Sequence, residues 1–221
     1  MTEVKICGLT RGSDVEAACD LGAAYVGFNF SAASPRRVTP ERARDLAASV
    51  PGRVRRVGVF VGEGYAEIED AISAASLDLV QLHRTLRAED LESVYRPIIA
   101  VGRAETHLLL GGGHGARIWA PSEELLLRCQ ALLFDAAVTE KPGGSGVRFD
   151  WTLLEGKSWP VPFFLAGGLT AENIAGAVMR LRPAAVDVAS GVESAPGVKD
   201  PDRMRRFFDA VRRADAGGEA R

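Results

Sequence analysis

A short apolar, strand-like run followed by a helix-like segment recurs eight times along this chain, and that alternation restricts the fold more than any single motif does. The strand-like runs end at Cys7 and then cover Ala24–Phe28, Val54–Val61, Leu77–Leu82, Pro97–Val101, Ala131–Phe134, Pro162–Ala166 and Ala185–Val188. Helical spacing of apolar residues is read over Ser13–Leu21, Glu41–Ser49, Tyr65–Ala75, Leu86–Val94, Ser122–Gln130, Ala171–Leu181 and Asp200–Arg213, with a short helical segment near Trp151–Leu154. Thr10 is placed to cap the first helix and Gly22 to stop it, while Thr39 and Pro40 form a cap and first turn for the second. Eight regular units with no linker, low-complexity run or charge block predict a single-domain α/β fold, a (β/α)8 barrel over residues 1–213. Residues 214–221 read as a polar tail, and Gly102–Pro121, with its G-G-G-H-G and no clean period, as a mobile loop. A doubly wound open sheet is the alternative, but it rarely uses eight regular units.

With 221 residues, 47% of them hydrophobic and 25% charged, the chain has the composition of an ordinary globular protein with a substantial core. Its net charge of −2 gives no global electrostatic case for nucleic acid or an anionic membrane, so an anionic ligand must be held by local features. The three cysteines, Cys7, Cys19 and Cys129, lack metal-ligand spacing and fit a reducing compartment better than a disulfide framework. Cys19, on the apolar face of the first helix, reads as core. His107 and His114 lack the spacing of a zinc site. Without a signal-like start or a membrane-length apolar run, a cytoplasmic protein is expected.

In a parallel barrel, ligands bind at the C-terminal ends of the strands, and the unusual residues of this chain fall there. Cys7 ends the first strand, His83 the fourth and Asp135 the sixth. A thiol at that rim, near a helix N-terminus, is open to a lowered pKa and use as base or nucleophile; packing in a small pocket is the plainer alternative. Asp135 is an N-cap, a solvated loop residue or a catalytic acid, and His83 alone is more often a packed residue than a catalyst. Gly167-Gly168 and Ser190-Gly191 follow strands seven and eight, where backbone N–H groups commonly hold a phosphate. Arg36 and Arg37 are either a solvated pair or, for at least one of them, a clamp on a carboxylate. Asp187 lies inside the last strand, so it must have a partner.

Taken together, K-I-C-G-L-T, S-P-R-R-V-T-P, V-Q-L-H, F-D, G-G-S-G-V-R-F-D-W, L-A-G-G-L-T-A-E-N-I and V-D-V-A-S-G-V-E with G-V-K-D resemble the phosphoribosylanthranilate isomerases. The resemblance runs from Val4 to the final helix. It implies a (β/α)8 barrel that performs an Amadori rearrangement in tryptophan biosynthesis without cofactor or metal. In that family the Cys at position 7 is the general base and the Asp at position 135 the general acid. The Arg at position 36 contacts the anthranilate end, with His83 and Asp187 also on the substrate, and glycine loops including Gly144, Gly167, Gly168, Ser190 and Gly191 hold the phosphate. The implied partner is a phosphorylated small molecule, with neither nucleic acid nor membrane, and the chain is a monomer or homodimer. Arg84 stands where the family usually has Gly after the His, and Arg37 where an aromatic is common. A paralogue acting on a related aminated ribose phosphate and a non-catalytic phosphate-binding barrel are the rival readings; retention of both Cys7 and Asp135 argues against the second.

Overall fold

A computed structural model describes residues 1–108, 114–136 and 151–218 of the chain. Its strands are β1 (Glu3–Cys7), β2 (Tyr25–Asn29), β3 (Arg55–Phe60), β4 (Leu79–Leu82), β5 (Ile98–Leu108), β6 (His114–Trp119), β7 (Ala131–Ala136), β8 (Phe163–Leu165) and β9 (Ala185–Val188). All but β6 pair in parallel, in the order β4-β3-β2-β1-β9-β8-β7-β5, and β5 also pairs with β4, so the eight strands close into a barrel. Helices α1 (Gly12–Leu21), α2 (Pro40–Ala47), α3 (Tyr65–Ala75), α4 (Ala88–Ser93), α5 (Glu123–Leu126), α6 (Ile174–Leu181) and α7 (Pro201–Gly218) follow the strands. A small antiparallel pair, β10 (Glu193–Ala195) and β11 (Val198–Lys199), lies between β9 and α7.

The period-two alternation of each strand sorts its residues between two cores. Outward residues such as Val4, Ile6, Val80, Leu82, Val186 and Val188 pack under the helices. On α3 the complementary stripe is Ile68, Ala71, Ile72 and Ala75, spaced three and four apart and all buried. Inward residues Tyr25, Val57, Leu79, Ile99, Leu133, Phe164 and Ala185 fill the barrel itself. By the same alternation Lys5 and Cys7 on β1, Gln81 then His83 along β4, and Asp135 two residues after Leu133 belong to the inside and the mouth. The site is therefore the polar upper layer of an otherwise apolar interior.

Several boundaries differ from the sequence expectation. Thr10 does not cap α1; Arg11 occupies that position without a side-chain cap bond, and the Thr10 hydroxyl donates to the Gly197 carbonyl instead. Thr39 does cap α2, accepting from the Arg42 amide. α4 stops at Ser93 because Arg96 precedes Pro97, and α5 at Leu126 because the chain is drawn into strand pairing by Gln130 on Ile98. Gly102–Pro121 is not simply a loop. β5 continues to Leu108 and pairs antiparallel with β6 from Arg103↔Trp119 to Leu108↔His114, making a hairpin that continues beyond the level of Asp135. The Gly-rich stretch masks two strands from a period search, since only the flanking residues carry the alternation. α7 runs to Gly218 rather than ending at Arg213, and Ala214 is buried on its inner face.

Candidate active site

Two charged side chains are buried inside the barrel below Cys7. The Lys5 ammonium is fully inaccessible and donates to Asp187 Oδ1 at 3.0 Å, with Lys5 and Asp187 paired in register across β1 and β9. Lys5 is thus the partner that Asp187 required, and it engages one of the two carboxylate oxygens. Beside them, Gly27 pairs with Cys7 across β1 and β2. A Cβ at Gly27 would lie 3.1 Å from both the Cys7 sulfur and the Lys5 nitrogen, so the missing side chain makes room for the two to converge. Such a buried pair contributes little net stability, since apolar replacements of similar volume are often neutral or better by about 1–4 kcal/mol. Burial pushes the Cys7 thiol up, and Lys5 is the leading influence that pulls it back. Desolvation outweighs the favourable charges, so the thiol stands above its ordinary value, where the sequence suggested a lowered one. Lys5 remains cationic because Asp187, then Cys7, overcome the cost of its burial.

A second network fixes the edge of the mouth. Arg36 donates from Nε and Nη2 to the two carboxylate oxygens of Glu193, at 2.8 and 2.7 Å. Lys199 Nζ donates to the same carboxylate at 2.8 Å, to the Cys7 carbonyl at 2.6 Å and to the Ala189 carbonyl at 3.1 Å. Asp14 adds a brace, accepting from the Lys199 amide and from the Arg11 guanidinium. The Arg36 stem crosses Gly8, where a Cβ would collide with its Cδ. Two donors of the Arg36 fork are thus committed to Glu193, and among the described residues the rest of the guanidinium's five N–H groups make no hydrogen bond. Arg37 is exposed.

Across the mouth, Asp135 Oδ2 and His83 Nε2 share a hydrogen bond of 3.0 Å, and each side chain is about one-third exposed. Arg84 turns away from both. It donates to the Glu63 carbonyl and to the buried Asp90 carboxylate, with its guanidinium over the Tyr65 ring, so it ties the loops after β3 and β4 together. The glycine loops lie on the remaining arc. Gly167 and Gly168 adopt φ of 85° and 63°, a backbone region open to glycine and costly for a residue with a Cβ. Asn173 braces this turn, donating to the Gly168 carbonyl and accepting from the Thr170 amide, both at 2.8 Å. Ser190 opens a one-turn 3-10 helix after β9, and Gly191 packs so tightly on the Leu169 carbonyl that no Cβ fits. Gly144 lies outside the described residues. Among the described residues, no group of His, Cys, Asp and Glu could hold a metal ion, and no helix is long and apolar enough to cross a membrane.

Comparison with known proteins decides the family. The model of N-(5'-phosphoribosyl)anthranilate (PRA) isomerase matches residues 4–210. The chain belongs to that family. A relative from Paramagnetospirillum magneticum named N-(5'-phosphoribosyl)anthranilate isomerase is 42% identical over 95% of this chain and 97% of its own. The crystal structure of the phosphoribosylanthranilate isomerase of Thermus thermophilus superposes with a TM-score of 0.77 at 35% identity, covering 96% of this chain and 99% of that one. A third structure, 32% identical with a TM-score of 0.75 and the same coverage, holds reduced 1-(o-carboxyphenylamino)-1-deoxyribulose 5-phosphate. As a member of the family the chain is an aldose–ketose isomerase of tryptophan biosynthesis.

Lys5, Glu193, Lys199, Gly27 and Asn173 were not singled out by the sequence reading. Lys5 carried a usable signal: a lysine two positions before Cys7 in a buried strand points the same way as the cysteine and needs a counter-charge. Glu193 and Lys199 carried none, because their role depends on how the segment after β9 folds back onto the end of β1.

Proposed function

We propose that the chain converts N-(5'-phosphoribosyl)anthranilate to the corresponding 1-deoxyribulose 5-phosphate with Cys7 as general base and Asp135 as general acid. What supports this assignment is their placement: both belong to the inside of the mouth, on strands β1 and β7 with two strands between them, and each has its own polar support. Asp135, in its acid form, donates its proton to the furanose ring oxygen as the C1′–O bond breaks, and the anthranilate nitrogen forms a Schiff base with C1′. Cys7, as thiolate, takes the proton from C2′, and the resulting enolamine tautomerises to the ketose. An acid and a base on opposite sides of the sugar are what this sequence of steps requires.

Substrate orientation follows from the two ends of the molecule. The phosphate is assigned to the N–H groups of Gly167, Gly168, Ser190 and Gly191. The anthranilate carboxylate is assigned to the uncommitted donors of Arg36, whose fork is held in place by Glu193. His83 keeps Asp135 in position through their shared hydrogen bond, and Asp187 acts through Lys5 rather than on the substrate itself. Anchoring at both ends holds the reacting C1′–C2′ unit between acid and base, which converts binding energy into orientation.

Expression in a tryptophan auxotroph lacking this isomerase tests the activity in one step. Growth without tryptophan is expected from the wild-type chain. Failure of well-expressed, folded protein to support growth would assign the barrel to another aminated ribose phosphate.

A further inference from the structure

Resting on the assignment of Cys7 as base, we propose that Lys5 is a positioning residue for it: the Lys5 ammonium, neutralised by Asp187, stands against the sulfur from inside the barrel and favours the thiolate. Three observations carry this. Lys5 and Cys7 are two residues apart on one strand, so their side chains emerge on the same face. The vacant Cβ position of Gly27 lies 3.1 Å from both the ammonium nitrogen and the sulfur, so the neighbouring strand leaves open the space in which they meet. The ammonium is fully buried, and its carboxylate partner among the described residues, Asp187 at 3.0 Å, is itself nearly inaccessible. Burial of that kind is costly and gives little net stability, so a structural reason for a lysine here is weak.

The charges around the sulfur favour this division of labour. On β1 it meets Lys5; from β9, Asp187 opposes the thiolate; from β11, Lys199 favours it. Arg36 contributes from the loop before α2, and Asp135 on β7 acts on Asp187 rather than directly on the thiol. Lys199 and Arg36 share the single Glu193 carboxylate and so keep a net positive charge, but Lys199 is bound to the Cys7 carbonyl, whereas Lys5 shares the vacant Gly27 position with the sulfur itself. Cys7 favours the cationic form of Lys5, as it does of Lys199 and Arg36, and of the three Lys5 is the one whose nitrogen meets the vacant Gly27 position together with the sulfur. Free energy is reciprocal here: what the thiolate does for the ammonium, the ammonium does for the thiolate.

The test reads the thiol without substrate. The rate of iodoacetamide alkylation is followed against pH, with the Cys7 peptide resolved from those of Cys19 and Cys129 by mass spectrometry. In Lys5→Met the midpoint of Cys7 reactivity is expected to rise by roughly one to three pH units, the span for losing an opposite charge within a few ångströms. Because Lys5→Met leaves Asp187 without its cation, Lys5→Met/Asp187→Asn removes both charges, and its midpoint is expected to rise too. A midpoint that stays or falls in whichever variant folds overturns the proposal. The pH limb of kcat/KM is measured alongside. If the alkylation midpoint moves and the kcat/KM limb does not, Lys5 still governs the thiol but Cys7 is not the base, so the two claims fail separately.

Discussion

Glu193→Gln is the substitution whose consequences the structure sizes best. The carboxylate is 6% exposed and accepts from Arg36 Nε and Nη2, from Lys199 Nζ and, at 3.3 Å, from the Gly197 amide. A carboxamide has the same shape but only one acceptor oxygen, so its NH2 must face a cationic donor at one of the two positions. Removing one partner of a buried ion pair costs about 3–5 kcal/mol. For a chain of this length each kcal/mol moves Tm by about 2–4 °C, so the variant is expected to melt roughly 6–20 °C below wild type. The pH dependence has a definite sign. Burial pushes the Glu193 carboxyl up, but Arg36 and Lys199 outweigh it and hold it below its ordinary value. Its contribution is therefore complete above the unfolded value of about 4.3 and is lost as pH falls through the lower folded value. Thermal melts followed by circular dichroism from pH 7 down to acid should show the gap between wild type and variant narrowing below about pH 4. A Tm loss under about 2 °C at pH 7, which is less than 1 kcal/mol here, or a gap that widens in acid, would refute the reasoning.

Three further outcomes follow from the site. Arg36→Ala is expected to cost roughly 2–5 kcal/mol in kcat/KM, the range for truncating one partner of a buried charge pair, and a substrate analogue without the carboxylate should lose that sensitivity. Equal losses with both substrates would mean that Arg36 serves only Glu193. Gly168→Leu places a Cβ on a residue with φ of 63° and blocks close backbone approach, so KM should rise strongly; an unchanged KM counts against the phosphate assignment. Asp135→Asn keeps the hydrogen-bonding shape but has no carboxylic proton to give, and kcat should fall by about 10²–10⁴-fold in a steady-state fluorescence assay. Near-normal turnover would remove Asp135 from the mechanism.

Much of the barrel was readable because strand and helix periods are local. The α3 stripe, the β9 run and the one-turn helix at Trp151–Leu154 form where their residues predict. The β5–β6 hairpin was missed because Gly111, Gly112, Gly113 and Gly115 interrupt the alternation that defines a strand, while the pairing that makes one is non-local. Thr10 misled for a related reason: a hydroxyl beside a helix start satisfies a local rule, yet the Gly197 carbonyl, far along the chain, is its actual partner. The site divides the same way. Cys7, His83 and Asp135 are legible from strand ends alone. The supports of Cys7 and Arg36 are not, since Lys5–Asp187 and Arg36–Glu193 each join residues more than 150 positions apart. Arg84, the departure beside His83, proves to be bound to Asp90 and Glu63, which a sequence cannot disclose.

The turnover of Cys7→Ser on freshly generated N-(5'-phosphoribosyl)anthranilate tests the central claim most directly. A hydroxyl in place of the thiol supplies almost no anion near neutral pH, so kcat should fall by about 10²–10⁴-fold while KM stays near wild type, because the phosphate and carboxylate anchors are untouched. Burial raises the thiol, so alkylation of wild-type Cys7 should keep quickening past the ordinary thiol value of about 8.5. The kcat/KM profile also needs Asp135 in its acid form, so it should be bell-shaped in pH and lose the Cys7 limb in the variant. Near-wild-type turnover by Cys7→Ser, or a profile that keeps that limb, would contradict Cys7 as the base.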